Sequence, residues 1–264
     1  RLPWPFLAGV GALRSWVSRL SYCRWGPART ASNWPPLSWI KRKMHRFRFL
    51  GDTLYAHHKG WLDLFAEYSL VYAQLYRQHG VPALFVPWGT HPSWYSDLGL
   101  ERDIDVLWMG TRRTRRRGRL LDRICRELAA RDLRVHVADN LQNPFIFGDT
   151  RIHFLNRAKI TLNLLPTRHD NNFPHRFHMA AGNRSLVVSE PMWPHCPAYQ
   201  AGTHYVSAPA EALVDTIIYY LNREDERQVI VENAYQLATQ EMTLTNSIRN
   251  IMDAVHKRRP ESAG

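Results

Sequence analysis

Cysteine is scarce, with three in 264 residues. Cys23, Cys125 and Cys196 are widely spaced and odd in number, which argues against a disulfide framework and for a reducing compartment. No apolar run approaches the roughly 18 residues that a membrane-spanning helix needs. The chain lacks a Gly-x-Ser-x-Gly elbow, a paired Cys–His arrangement and a His-Glu-x-x-His helix, so hydrolase chemistry has no support. Glycine-rich phosphate loops of the full dinucleotide or P-loop type are missing as well. The usual zinc spacings are also absent, so His57, His58, His169, His175, His178 and His195 read as loop and surface groups. Neither a metal nor a cofactor is expected.

Acid is also scarce at one end. Residues 1–48 carry many Arg and Lys and hardly any acid, within a chain of formal net charge +12. Six arginines fall between Arg112 and Arg119, whereas residues 200–254 are close to balanced. A basic balance of this size suits nucleic acid, an anionic membrane surface or a phosphorylated substrate. In residues 1–45, rich in Trp, Pro and Arg, Leu7 to Leu20 fits an amphipathic basic helix. It reads either as a membrane-surface arm or as the remainder of a domain that has lost its cover. The start at Arg1 rather than Met suggests a fragment.

Regular patterning begins at Arg46. Trp61 to His79 carries apolar residues at helical spacing and predicts one helix, with a strand at Val81–Pro87 and a linker at Trp88–Leu100. Strands are then expected at Ile104–Met109, Leu133–Ala138, Ile160–Leu165, Leu186–Val188 and His204–Val206. Helices fall at Arg116–Asp132, Ile152–Ala158, the segment from Pro174 to Gly182, Glu211–Asn222, Asp225–Thr239 and Thr245–Lys257. This alternation, with β-branched strands uninterrupted by polar residues, indicates an α/β, Rossmann-like doubly wound parallel sheet covered on both faces. The expected divisions are a basic segment 1–45, a partial N-terminal domain and linker 46–100, a Rossmann-like domain 101–240 and a C-terminal helix and tail 241–264.

Ligands of such sheets bind at the carboxyl ends of the strands. Ser189 and Glu190 fall there, with Arg176 and His178 on the preceding helix. Asp105-Val-Leu-Trp-Met-Gly110 is a strand ending in glycine, followed by Thr111 and the arginines that open a helix. Glycine lets backbone approach a phosphate, and arginine can neutralise a diphosphate through two parallel hydrogen bonds. A solvated basic turn or a nucleic-acid patch would look the same, although no Trp or Tyr interleaves with these arginines. Arg157 and Lys159, before the strand at Ile160, are either further ligand cations or charges that favour a helix end.

Residues 77–257 resemble the C-terminal half of GT-B-fold glycosyltransferases of group 1, in the branch related to spore-maturation glycosyltransferases. The resemblance rests on Gly80–Gly89, Asp103–Gly110, Leu155–Leu164, His175–Gly182, Leu186–Pro191, Gly202–Val206 and Ile218–Leu221, in that order and spacing. It implies a nucleotide-diphospho-sugar donor bound by Gly110, Thr111 and Arg116, assisted by Arg157 and Lys159, with Arg176 opening the donor helix. Where that family commonly has Glu two residues after this arginine, gripping ribose hydroxyls, the chain has His178; Glu190 is the candidate substitute carboxylate. The resemblance further implies metal-independent hexosyl transfer to a glycan, lipid or protein acceptor. A cytoplasmic location is expected, with the basic N-terminus as the contact to the inner membrane face, and no nucleic acid is expected. No catalytic base is assigned; His57, His58 and Asp63 are the candidates in the shortened N-terminal part. Two rivals remain open: a non-catalytic sugar-nucleotide-binding relative and a basic nucleic-acid-binding protein.

Overall fold

The computed structural model describes residues 53, 56–112, 114–166, 173–192 and 196–258. The helix expected over Leu7–Leu20 lies outside the described residues, as do Cys23, His169, Asp170, Asn171, Asn172 and His195. The chain forms two compact units, one running through Glu67 and including Tyr72–Phe85, the other taking Tyr68–Val71 and everything from Val86.

In the first unit, β1 (Phe65–Glu67) pairs in parallel with β2 (Ala83–Phe85), and helix α1 (Leu70–Gln78) connects them. The single helix expected over Trp61–His79 is therefore confined to its second half. Phe65 donates its N–H to Pro82 O at 2.9 Å and sets its ring edge-on to Tyr76 at 4.7 Å. Phe65 thus meets the core of Tyr76, Val81 and Ala83 from a strand, and Leu62 from the irregular segment before it. A stripe at helical spacing carries no information on which of its residues belong to which element.

The second unit holds β3 (Ile104–Met109), β4 (Val135–Ala138), β5 (Ala158–Asn163), β6 (Leu186–Ser189) and β7 (Val206–Ser207). All five are parallel, in the order β4-β3-β5-β6-β7. The helices are α2 (Arg115–Ala129), α3 (Gly148–Arg157), α4 (Phe173–Gly182), α5 (Leu213–Leu221), α6 (Glu224–Gln236) and α7 (Leu244–His256), with a π turn at Leu237–Glu241.

Residue parity along the strands decides what faces what. Val106, Trp108, Ile160, Leu162, Leu186 and Val188 share one core with Leu121, Ile124 and Leu128 of α2 and Leu213 and Ile217 of α5. The alternate residues Leu107, Thr161, Asn163, Val187 and Ser189 are equally buried and lie on the other face. Asn163 is thereby aimed at α4 instead of the apolar core.

Because β3 has β4 on one side and β5 on the other, the strand order reverses direction between β3 and β5. Their carboxyl ends diverge there and leave a crevice. Hydrogen bonds also close the unit along its chain. Thr90 donates its N–H to Met242 O at 2.8 Å and accepts from Leu244 N at 2.9 Å, and Ser247 Oγ donates to Pro87 O at 2.7 Å. Gly89 lies so close that a Cβ there would stand 2.3 Å from Leu244 N. Backbone cannot yield as a flexible side chain does. Gly89→Ala is accordingly expected to cost about 2–3 kcal/mol, read as a lower urea midpoint at unchanged slope.

Candidate donor site at the strand ends

Beside the crevice between β3 and β5, a cleft of about 220 Å³ opens at the carboxyl ends of β3 and β4. Met109 and Gly110 line it from the end of β3, Ala138 from the end of β4, and Phe145, Ile146 and Phe147 from the loop before α3. Arg151 enters from the first turn of α3, and His175, Arg176 and Met179 from α4.

Arg176 joins the two strand ends. Its guanidinium donates to Met109 O at 2.9 Å and to Asn163 Oδ1. Asn163 in turn donates from Nδ2 to Ser189 Oγ at 2.8 Å, so the ends of β3, β5 and β6 form one polar chain. Burial, with Arg117 nearby, lowers the Arg176 pKa to about 10, which leaves it a cation at neutral pH. Gly110 lies directly beside it at φ +133°, and a Cβ there would come within 3.1 Å of Arg176 Nη2. The glycine is needed for its backbone angle and for that approach. Its N–H is already donated to Ala138 O at 3.0 Å.

The other residues selected from the sequence lie elsewhere. Arg116 meets Glu190 with two nitrogens and donates to Leu165 O at 3.1 Å. Glu190 also accepts from Leu165 N at 2.8 Å, and its side chain is 4% exposed. It is an internal counter-ion at the strand ends, without a free face for ribose. Thr111 is exposed outside the cleft lining, and its carbonyl accepts from Arg117 Nη1 at 2.7 Å.

Arg157 and Lys159 are not brought to the cleft. Arg157 donates to both oxygens of Asp103 at 2.7 and 2.5 Å, and Lys159 donates to Asp105 at 2.6 Å. Asp103 and Asp105 flank the start of β3, so both pairs sit at the amino ends of the parallel strands. The Arg157 hydrogen bond holds the Asp103 carboxyl down to about 2. Sequence spacing places these cations correctly at a strand end, but does not supply the aspartates that claim them.

His178 is fully buried. Its Nδ1 meets Thr90 Oγ1 at 2.5 Å and its Nε2 meets Tyr199 Oη at 2.7 Å, so neither ring nitrogen is left for a ribose hydroxyl. It fixes α4, and with it Arg176, to the segment around Thr90. The arginine cluster is likewise largely committed. Arg112 donates to Asp139 at 2.6 Å and also pairs with Asp122, Arg116 and Arg117 are bonded as described, and Arg115 and Arg119 remain exposed.

Arg151, Asn163, Phe145 and Phe147 were not singled out from the sequence. The available signal was Phe145-Ile-Phe-Gly148 running straight into a helix after a strand, the place where a loop must cross the carboxyl edge. Among the described residues no group of three or more His, Cys, Asp or Glu side chains is placed to hold a metal ion, and no helix is long and apolar enough to cross a membrane.

The profile of the Glycosyl transferase-like family matches residues 113–253, more than half of the chain. The chain belongs to that family. Its fold is that of GT-B glycosyltransferases, as solved structures of low identity show. HepE from Anabaena, solved with UDP and glucose, superposes with a TM-score of 0.57 at 11% identity, covering 74% of this chain and 63% of HepE. Sucrose-phosphate synthase from Thermosynechococcus elongatus gives 0.54 at 12% identity, over 74% and 58% of the two chains. The pneumococcal O-GlcNAc transferase GtfA, in complex with UDP and GlcNAc, gives 0.56 at 12% identity, over 76% and 46%. The chain thus spans less than two thirds of the length of each. No curated protein sequence matches it.

The burial of His178 has a measurable consequence. Desolvation, with the nearby His175 charge as second cause, lowers its pKa from 6.5 to about 3. The unfolded chain therefore binds a proton between those values that the folded chain refuses. The associated stability is intact above pH 6.5 and is lost as acid is added toward pH 3, by about 1.4 kcal/mol per unit. Urea titrations at about pH 7.5 and about pH 5 are expected to show this decline, and His178→Gln to flatten it by about one proton.

Proposed function

We propose that this chain is a glycosyltransferase that binds a nucleotide-diphospho-sugar in the cleft at the ends of β3 and β4 and passes the sugar to an acceptor. The observation that carries the reading is Arg176, a cation fixed between two strand ends at the reversal point of a doubly wound sheet and lining an open cleft beside Gly110. The solved relatives named with UDP and sugars support the same ligand class. A glycan, lipid or protein is the acceptor class, without a choice among them.

The residues suit one part of such a reaction. When the glycosidic bond to the leaving diphosphate breaks, negative charge grows on its oxygens. A guanidinium already held by Met109 O and Asn163 needs no reorganisation to meet that charge. The reading therefore includes metal-independent chemistry, with arginine offsetting the diphosphate. A hexosyl group is the proposed cargo. His175 lines the cleft as a neutral imidazole, because burial, reinforced by Arg151 and Arg176, lowers its pKa. A neutral imidazole can exchange hydrogen bonds with sugar or ribose hydroxyls as donor or acceptor. The base that activates the acceptor is not assigned.

Arg176→Ala is expected to weaken nucleoside diphosphate binding about 10- to 100-fold, the worth of one charge-assisted contact. Gly110→Val is expected to block binding by displacing Arg176. Calorimetric titration with UDP, GDP, ADP and TDP checks both, and unchanged affinity in Arg176→Ala would remove the site.

A further inference from the structure

The two cations of the cleft are not equivalent. A guanidinium carries five N–H donors. Arg176 commits its two terminal nitrogens to Asn163 and Met109 O. Arg151 makes no side-chain hydrogen bond and no ion pair among the described residues, and its Nε is buried without a partner. Burial lowers its pKa, and no carboxylate opposes that shift. A folded chain rarely buries a guanidinium N–H without an acceptor, because that donor loses water without compensation. Such a group marks a place where something absent from the free protein completes the bonding.

The surroundings say what that something is. Arg151 lies one turn into α3, whose N-cap residue Phe147 supplies no side-chain acceptor to the first turn. Phe147 is 69% exposed, and with Phe145 it sets two rings at 6.2 Å on the rim of the same cleft. Arg176 and His175 line the same cleft, the latter with its ring tilted 56° against Trp88 at 4.2 Å. A free fork of donors between a fixed cation and an aromatic rim fits a ligand that is anionic at one end and planar at the other.

Resting on the nucleotide-sugar reading above, we propose that Arg151 is a donor-binding residue that contacts a phosphate of the nucleotide directly. In this chain it takes the part that Arg157 and Lys159, neutralised at the opposite end of the strands, cannot take. Arg176 is the fixed cation of the pair and Arg151 the one whose hydrogen bonds are completed by ligand.

The test compares Arg151→Gln and Arg151→Lys with wild type by calorimetry, using UDP, GDP, ADP and TDP, their nucleosides, and inorganic pyrophosphate as probes. For whichever diphosphate binds wild type best, Arg151→Gln is expected to lose about 10- to 100-fold in affinity and Arg151→Lys to recover part of it. The matching nucleoside is expected to change less than about threefold. The unliganded melting temperature of Arg151→Gln should hold or rise, since a half-buried cation without an ion pair is removed, while the ligand-induced rise shrinks. Equal diphosphate affinity in wild type and Arg151→Gln overturns the assignment and leaves the site standing. Equal losses for nucleoside and diphosphate, or a lower unliganded melting temperature in both variants, show a packing role and overturn it too. Binding of pyrophosphate as tight as the diphosphate shows a general anion site instead. If wild type binds none of the nucleotides, the site reading fails and this inference fails with it.

Discussion

The second unit depends on how the carboxyl ends of β3 and β5 are held apart and still joined. Parallel strands that lead their connections in opposite directions part at their ends, and the exposed carbonyls there need donors. Arg176 meets that need, with one nitrogen on the Met109 carbonyl and another on the Asn163 amide. The same group that satisfies the crevice also lends it positive charge. The structural role and the proposed ligand role coincide in one side chain, beside which Gly110 must stay small.

Support for that guanidinium reaches outward in layers. Asn163 is fixed by Ser189, and α4 is fixed by His178 between Thr90 and Tyr199. Thr90 is itself tied to the backbone on both sides of residue 243. Behind α4, Asn183 accepts from Ser96 N and Asn156 and donates to Trp94 O, fastening the segment before β3 to the helix. Buried amide and imidazole groups of this kind hold a helix to one position, because each alternative leaves a donor or acceptor dry.

The sheet was legible in the sequence because its strands are short β-branched runs between turn signals, and β3 falls at the expected Ile104–Met109. The stop after Gly182 was legible too, although the left-handed residue there is Arg184 and not a glycine. What misled was the first unit, where Phe65 continues an apolar stripe but belongs to a strand. That Gly110 and Arg176 share the cleft was readable because a glycine at a strand end and an arginine opening a helix have local reasons to be there. His178, Glu190, Arg157 and Lys159 were misplaced for one common reason. Each is claimed by a partner 21 to 88 positions away, and no local pattern announces such a partner. Arg151 escaped notice because its one local signal, the Phe145–Gly148 loop running into α3, names no particular side chain.

The pairing of Asp103 with Arg157 and of Asp105 with Lys159 has an effect beyond local order. At the amino rim the basic side chains are matched by acid, whereas at the carboxyl rim Arg151 and Arg176 have no carboxylate among the described residues. Glu190 and Asp139 balance Arg116 and Arg112 at that same rim, so the charge left over is that of Arg151 and Arg176, and the potential around these two slopes toward the cleft. A diffusing anion would be drawn down that slope before any contact forms, so dissolved salt would slow its capture more than its release.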